Sequence, residues 1–113
     1  MEHIMQLRPD PFNMIKNGTK SIELRLYDDK RQKIKIGDTI HFYNTENSEQ
    51  LAVIVKELFI YESFEELYKN LPLDRCGYTA SDIDHAKPED MLQYYPLDKQ
   101  KQYGVVGIQV ELR

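Results

Sequence analysis

The sequence contains no tryptophan, a single cysteine, and only five glycines and five prolines in 113 residues. Cys76 has no partner for an internal disulfide, so the fold must hold without one, as suits a reducing compartment. His3, His41 and His85 lie far apart with no ligand spacing, and no metal site or cofactor is expected. No apolar run nears the ~20 residues of a membrane span, and the N-terminus does not resemble a signal peptide. These absences predict a cytoplasmic chain without a membrane partner. Repeats, low-complexity tracts and linkers are also missing, so residues 1–113 read as a single domain.

What is present fits a globular chain. Apolar residues make up 41% and charged residues 30%, outside the range of disordered sequences. A domain of this length buries a modest core. Eight tyrosines stand out. A tyrosine packs a ring and keeps a hydroxyl, so it serves the wall of a polar pocket or a β-rich core equally well.

The formal net charge of −4 argues against non-specific binding to a polyanion. Charge is nonetheless segregated. Between Lys16 and Lys35 there are seven basic and three acidic residues, against eight basic and sixteen acidic in the remainder. A local basic patch on an acidic body suits one anionic ligand; a solvated lysine-rich loop from Lys30 to Lys35 has the same composition.

Period-two alternation and turn residues predict strands at His3–Leu7, Lys20–Leu26, Thr39–Tyr43, Leu51–Tyr61 and Gly104–Leu112. Asp10-Pro11 is expected to open a short helix that ends at Asn17-Gly18. Ser63 and Glu66 form a capping-box pattern for a helix to about Asn70, where Pro72 stops it. Further helical stretches are expected at Ser81–Ala86 and from Pro88 through Tyr95, with Lys99–Tyr103 a loop or helical turn. No regular βαβα alternation exists, which excludes a doubly wound sheet. The pattern predicts an α+β, mainly β fold: a small antiparallel β-barrel with short inserted helices.

The segment richest in chemistry is Ile15-Lys16-Asn17-Gly18-Thr19-Lys20-Ser21-Ile22-Glu23-Leu24-Arg25. Residues two apart on a strand share a face, which puts Glu23 and Arg25 side by side. Gly18 lets backbone N–H groups approach an incoming group, and Lys20 sits at the mouth of the strand. Arg25 can clamp a phosphate or carbonyl, Glu23 can accept from a base or ribose donor, and Lys20 can neutralise a phosphate or act as nucleophile or base. An exposed Glu23–Arg25 ion pair beside a helix cap fits the same spacing.

The pattern I-x-x-G-x-K-x-x-E-x-R, matched by Ile15, Gly18, Lys20, Glu23 and Arg25, resembles the signature of the ASCH family. Ile36-Gly37-Asp38 and Tyr103-Gly104-Val105-Val106-Gly107-Ile108 also resemble that family, so the likeness spans nearly the whole chain. The resemblance implies a PUA-like barrel with a polar cleft that recognises RNA or a nucleotide-like ligand. Gly18, Thr19, Lys20, Glu23, Arg25 and Tyr43 are the ligand-binding candidates. Some small ASCH proteins are amidohydrolases on N4-acetylcytidine, using the signature lysine, a threonine three residues later and a glutamate from a later helix; others are linked to RNA cleavage. The resemblance therefore also implies an alternative, a small hydrolase with Lys20, Glu23 and Glu89 as its catalytic set. Here Glu23 stands at the threonine position, which removes the hydroxyl. Tyr94, Tyr95 and Tyr103 are candidates to stack a base, or to pack the last helix on the barrel. Cys76 reads as a partly buried loop thiol.

Overall fold

The computed structural model describes residues 1–113. The chain runs β1 (Glu2–Leu7), α1 (Pro9–Asn17), β2 (Ile22–Leu26), a 3-10 turn (Arg31–Lys33), β3 (Thr39–Asn44) and β4 (Gln50–Tyr61). It continues through α2 (Phe64–Asn70), three 3-10 segments (Leu73–Arg75, Ile83–His85, Pro88–Gln93), α3 (Leu97–Tyr103) and β5 (Val105–Leu112). The five strands form one sheet in the order β1-β3-β4-β5-β2, curled into a half-barrel with short helices around it. Three of the four pairings are antiparallel; β1 alone pairs in parallel, with β3.

The strands appear where alternation puts them, with ends moved by one or two residues. The helices differ more. α1 begins at Pro9, which takes the first helical position that Pro11 was expected to hold. Arg8 occupies the cap position without a side-chain bond, so Asp10 contributes only its charge in the first turn. Gly18 ends the helix in the left-handed conformation, with φ of 88°. Ser63 caps α2 by accepting from the Glu66 N–H at 3.2 Å, but the Glu66 carboxylate turns to Lys69 instead of closing the box. The stretch expected to be helical at 81–86 contracts to three residues, and Lys99–Tyr103 belongs to a true α-helix.

Two apolar clusters flank the sheet. One gathers Met5, Leu7, Phe12, Ile15, Phe42, Val53 and alternate residues of β5, among them Val106 and Ile108. The other packs α2 and the 3-10 segments on the opposite face, with Ile22, Leu24, Phe64, Leu67, Met91 and Val105. Strand alternation sends Ile22 and Leu24 into the second cluster. Glu23 and Arg25 must then face the first. Their directly paired neighbours on β5, Ile108 and Val106, are both members of it. The polar side of β2 is thus turned inward, not to solvent.

Candidate ligand-binding site

The order of strands leaves β1 and β2 at the two ends of the sheet, with no backbone ladder between them. Arg25 spans this seam: its Nη2 donates to the carbonyl of Gln6 on β1 at 2.8 Å. A cavity of about 510 Å³ opens there, lined from β1, α1 and β2 on one side and by Tyr68, Gly77, Tyr78, Asp90, Tyr94 and Tyr95 on the other. Its size falls within the range of sites that enclose a small ligand.

Lys20, Glu23 and Arg25 converge on this cavity. Lys20 Nζ donates to Glu23 Oε1 at 2.7 Å, and Arg25 Nε donates to Glu23 Oε2 at 2.8 Å. Glu23 is 4% exposed and Lys20 8%. Two cations therefore share one buried carboxylate, leaving one positive charge over. Burial alone would push the Glu23 carboxyl up, but Lys20 and Arg25 outweigh it and hold it below the usual carboxylate range. Burial alone would likewise push Arg25 down, yet Glu23 prevails and raises it.

The turn before β2 is fastened from a distance. Lys20 N–H donates to the Met14 carbonyl at 3.0 Å, and Ser21 N–H to the Arg75 carbonyl at 2.9 Å. The Arg75 side chain donates to Ser21 Oγ at 3.1 Å and to the Gly18 carbonyl at 2.9 Å. Arg75 thereby clips the loop carrying Cys76, Gly77 and Tyr78 onto the signature turn. Gly77, at φ of 110°, lies against Lys20: a Cβ there would come within 3.5 Å of the lysine Cδ. The backbone donors expected to be free at the turn are all engaged internally, since Gly18 donates to Ile15 and Thr19 to Asn17 Oδ1.

The remaining wall is aromatic. Tyr95 stacks on Phe64 with centroids 5.9 Å apart, and burial raises its hydroxyl. Tyr94 is half exposed, with the Arg8 guanidinium 5.5 Å from its ring centre. Tyr68 and Tyr78 meet edge to face, their hydroxyls 2.7 Å apart, and Tyr78 donates to Asp90 Oδ2 at 2.8 Å.

A scan against protein-family models matches the ASCH domain over residues 5–113. The chain belongs to the ASCH domain family. Among solved structures it is similar to the hypothetical protein PH0355, at 35% identity over 100% of both chains with a TM-score of 0.83. It is also similar to protein PF0455 from Pyrococcus furiosus, at 36% identity over 99% of this chain and 97% of that one, with a TM-score of 0.76. A mutant form of ZmASCH from Zymomonas mobilis shares the fold at 12% identity, covering 97% of this chain and 67% of that one, with a TM-score of 0.68. No curated protein matches the chain.

Within this ASCH domain Gly18, Thr19, Tyr43, Glu89 and Tyr103 fall outside the cavity lining. Gly18 and Thr19 lie on the turn behind Lys20, and Thr19 Oγ1 is spent on Asn17 and Met14. Tyr43 sits on β3, paired with Gln6 of β1 and with Gln50 of β4. Glu89 is exposed on the last 3-10 segment, while its neighbour Asp90 lines the cavity. Tyr94 and Tyr95 line it too; Tyr103 does not. Cys76 lines it as a thiol pushed up to about 11 by burial, its Sγ–H directed at the Pro72 carbonyl. Sequence reasoning missed Arg75, Tyr68, Tyr78 and Asp90. The one available signal was Tyr78 beside Gly77, which only its approach to Lys20 makes meaningful. No helix is long and apolar enough to cross a membrane.

Proposed function

We propose that this ASCH domain is a recognition module for RNA or a nucleotide-like ligand, received one unit at a time in the seam cavity. Lys20 and Arg25 hold an acceptor oxygen of the ligand, a phosphate or a ring carbonyl. Glu23 aligns the two cations, and the Tyr94 ring offers a stacking face. The observation that carries this reading is the double bond-sharing of Glu23, at 2.7 Å to Lys20 and 2.8 Å to Arg25, inside a cavity about the size of one small ligand. Lys20 and Arg25 both keep hydrogen-bond donors beyond those given to Glu23, and these suit an acceptor oxygen of the guest.

Recognition is favoured over hydrolysis by the state of Glu23. A carboxylate with both oxygens engaged by cations, and held below its usual range, is a weak proton acceptor. Glu89, the other acidic member of the hydrolase set, lies outside the cavity lining.

Fluorescence polarisation with a short single-stranded RNA, across a salt series, tests the reading. Affinity is expected to fall as salt rises and to drop at least about tenfold in Lys20→Ala. RNA binding absent at every salt concentration, or equal in wild type and variant, would refute it. Turnover of N4-acetylcytidine that disappears in Lys20→Ala would favour the hydrolase instead.

A further inference from the structure

Tyr68, Tyr78 and Asp90 belong to no part of the ASCH signature, yet they form a connected polar set in the same cavity. The direction of its hydrogen bonds can be worked out. Tyr78 donates its hydroxyl proton to Asp90 Oδ2 at 2.8 Å. A phenol has one proton, so Tyr78 has none left for Tyr68, 2.7 Å away. Tyr68 must be the donor of that pair. Both protons of the ladder therefore run toward Asp90, whose Oδ2 also accepts the Lys87 N–H at 3.3 Å. Burial pushes the Tyr68 hydroxyl up to about 12 and, with the bonds to Tyr68 and Asp90, raises Tyr78 as well, so neither proton is lost near neutral pH.

What remains for a guest is one-sided. The ladder has spare lone pairs on Tyr68, Tyr78 and Asp90 Oδ1, and no spare proton. The two cations of the signature set are its converse. Lys20 spends one of three protons on Glu23, and Arg25 spends Nε on Glu23 and one Nη2 proton on Gln6, so these two cations keep donors to offer a guest. The two sets approach each other at Gly77, next to Tyr78, where an added Cβ would lie 3.5 Å from the Lys20 side chain.

We infer that the tyrosine–aspartate ladder is a specificity subsite for an exocyclic amino group, so that the cavity selects amino-bearing nucleobases over their keto counterparts. This rests on the reading of the cavity as a nucleotide site. Cytosine and adenine each carry an amino donor beside a ring acceptor, which matches one set of acceptors and one of donors. Uracil and hypoxanthine put a carbonyl oxygen at the amino position, where it meets lone pairs and loses the bond it had in water.

The test is an NMR titration of the wild-type protein with four mononucleotides, CMP against UMP and AMP against IMP. Each pair differs at that group and at the ring nitrogen beside it, which turns from acceptor to donor, so the two variants of the ladder assign the preference to the amino position. The inference expects the amino member to bind about 10- to 100-fold more tightly. Asp90→Asn, which brings an N–H to the subsite, and Tyr78→Phe, which breaks the ladder, should each shrink the preference, with folding checked by thermal melting. Equal affinity within the pairs, a keto preference, or an amino preference unchanged in both variants overturns the inference and leaves the nucleotide site standing. Failure of all four nucleotides and of RNA to bind overturns the site itself and this inference with it.

Discussion

Arg25 on β2 and Gln6 on β1 stand at opposite ends of the strand order, and a 2.8 Å hydrogen bond from the guanidinium to the main-chain carbonyl joins them. A side chain does across this seam what backbone pairing does between the other strands. The same guanidinium orients on Glu23, so closure of the half-barrel and organisation of the cavity depend on one group.

Arg25→Lys keeps the charge and loses the fork. A single ammonium nitrogen cannot replace Nε on Glu23 and Nη2 on the Gln6 carbonyl together. Unfolding in urea should show a loss of about 1.5–3 kcal/mol, the usual worth of a hydrogen bond to a charged group. A change within a few tenths of a kcal/mol would mean that the seam bond adds nothing.

Glu23→Gln leaves Lys20 and Arg25 buried without a counter-charge. Breaking a buried ionic set from one side costs about 3–5 kcal/mol. Lys20→Met removes a cation and leaves Glu23 still paired with Arg25, so it should cost less. Equilibrium denaturation of the two variants gives the order directly; a larger loss in Lys20→Met would contradict the assignment of Glu23 as the hub.

Asp38 governs acid sensitivity at the far end of β1. It accepts from His3 at 2.8 Å, from the Lys35 N–H at 3.0 Å and from the N-terminal ammonium at 3.3 Å, with the His3 bond the largest influence, and its carboxyl falls from 3.8 to about 2. The unfolded chain takes up this proton at higher pH than the folded one, so acid favours unfolding. The stabilisation is complete above pH 3.8 and is lost as the pH falls through about 2. Melting temperatures of wild type and Asp38→Asn should differ at pH 5 and converge toward pH 2. A gap that widens in acid would reverse the sign.

Gly77 and Gly18 separate strain from function. Both have positive φ, 110° and 88°, so alanine at either position is strained by about 1–2 kcal/mol. Only at Gly77 would the new methyl touch Lys20; at Gly18 it meets nothing within 4 Å. Similar melting losses are expected in both variants, with ligand affinity changed in Gly77→Ala alone. An equal change in affinity would sever the link between the Gly77 loop and Lys20.

The strands were legible because alternation is local: Ile22, Leu24 and Leu26 announce β2 whatever surrounds them. The signature spacing also placed Glu23 and Arg25 on one face. It could not say that this face turns inward, because that depends on β5 supplying Ile108 and Val106 opposite them. Helix starts were misjudged where two prolines compete, Pro9 and Pro11, since local propensity permits either. The Tyr68–Tyr78–Asp90 ladder was invisible because its members come from a helix, a loop and a 3-10 segment that only packing unites. Arg75 was missed for the same reason, bonding Gly18 and Ser21 across more than fifty residues of sequence.

The most direct test is amide chemical-shift mapping during titration with a short single-stranded RNA. The account predicts that the responding signals cluster at Lys20, Arg25, Gly77 and Tyr78, around the seam, and fade in Arg25→Ala. Shifts confined to the exposed lysines Lys30, Lys33 and Lys35, with the seam unmoved, would assign binding to a charged loop and contradict it.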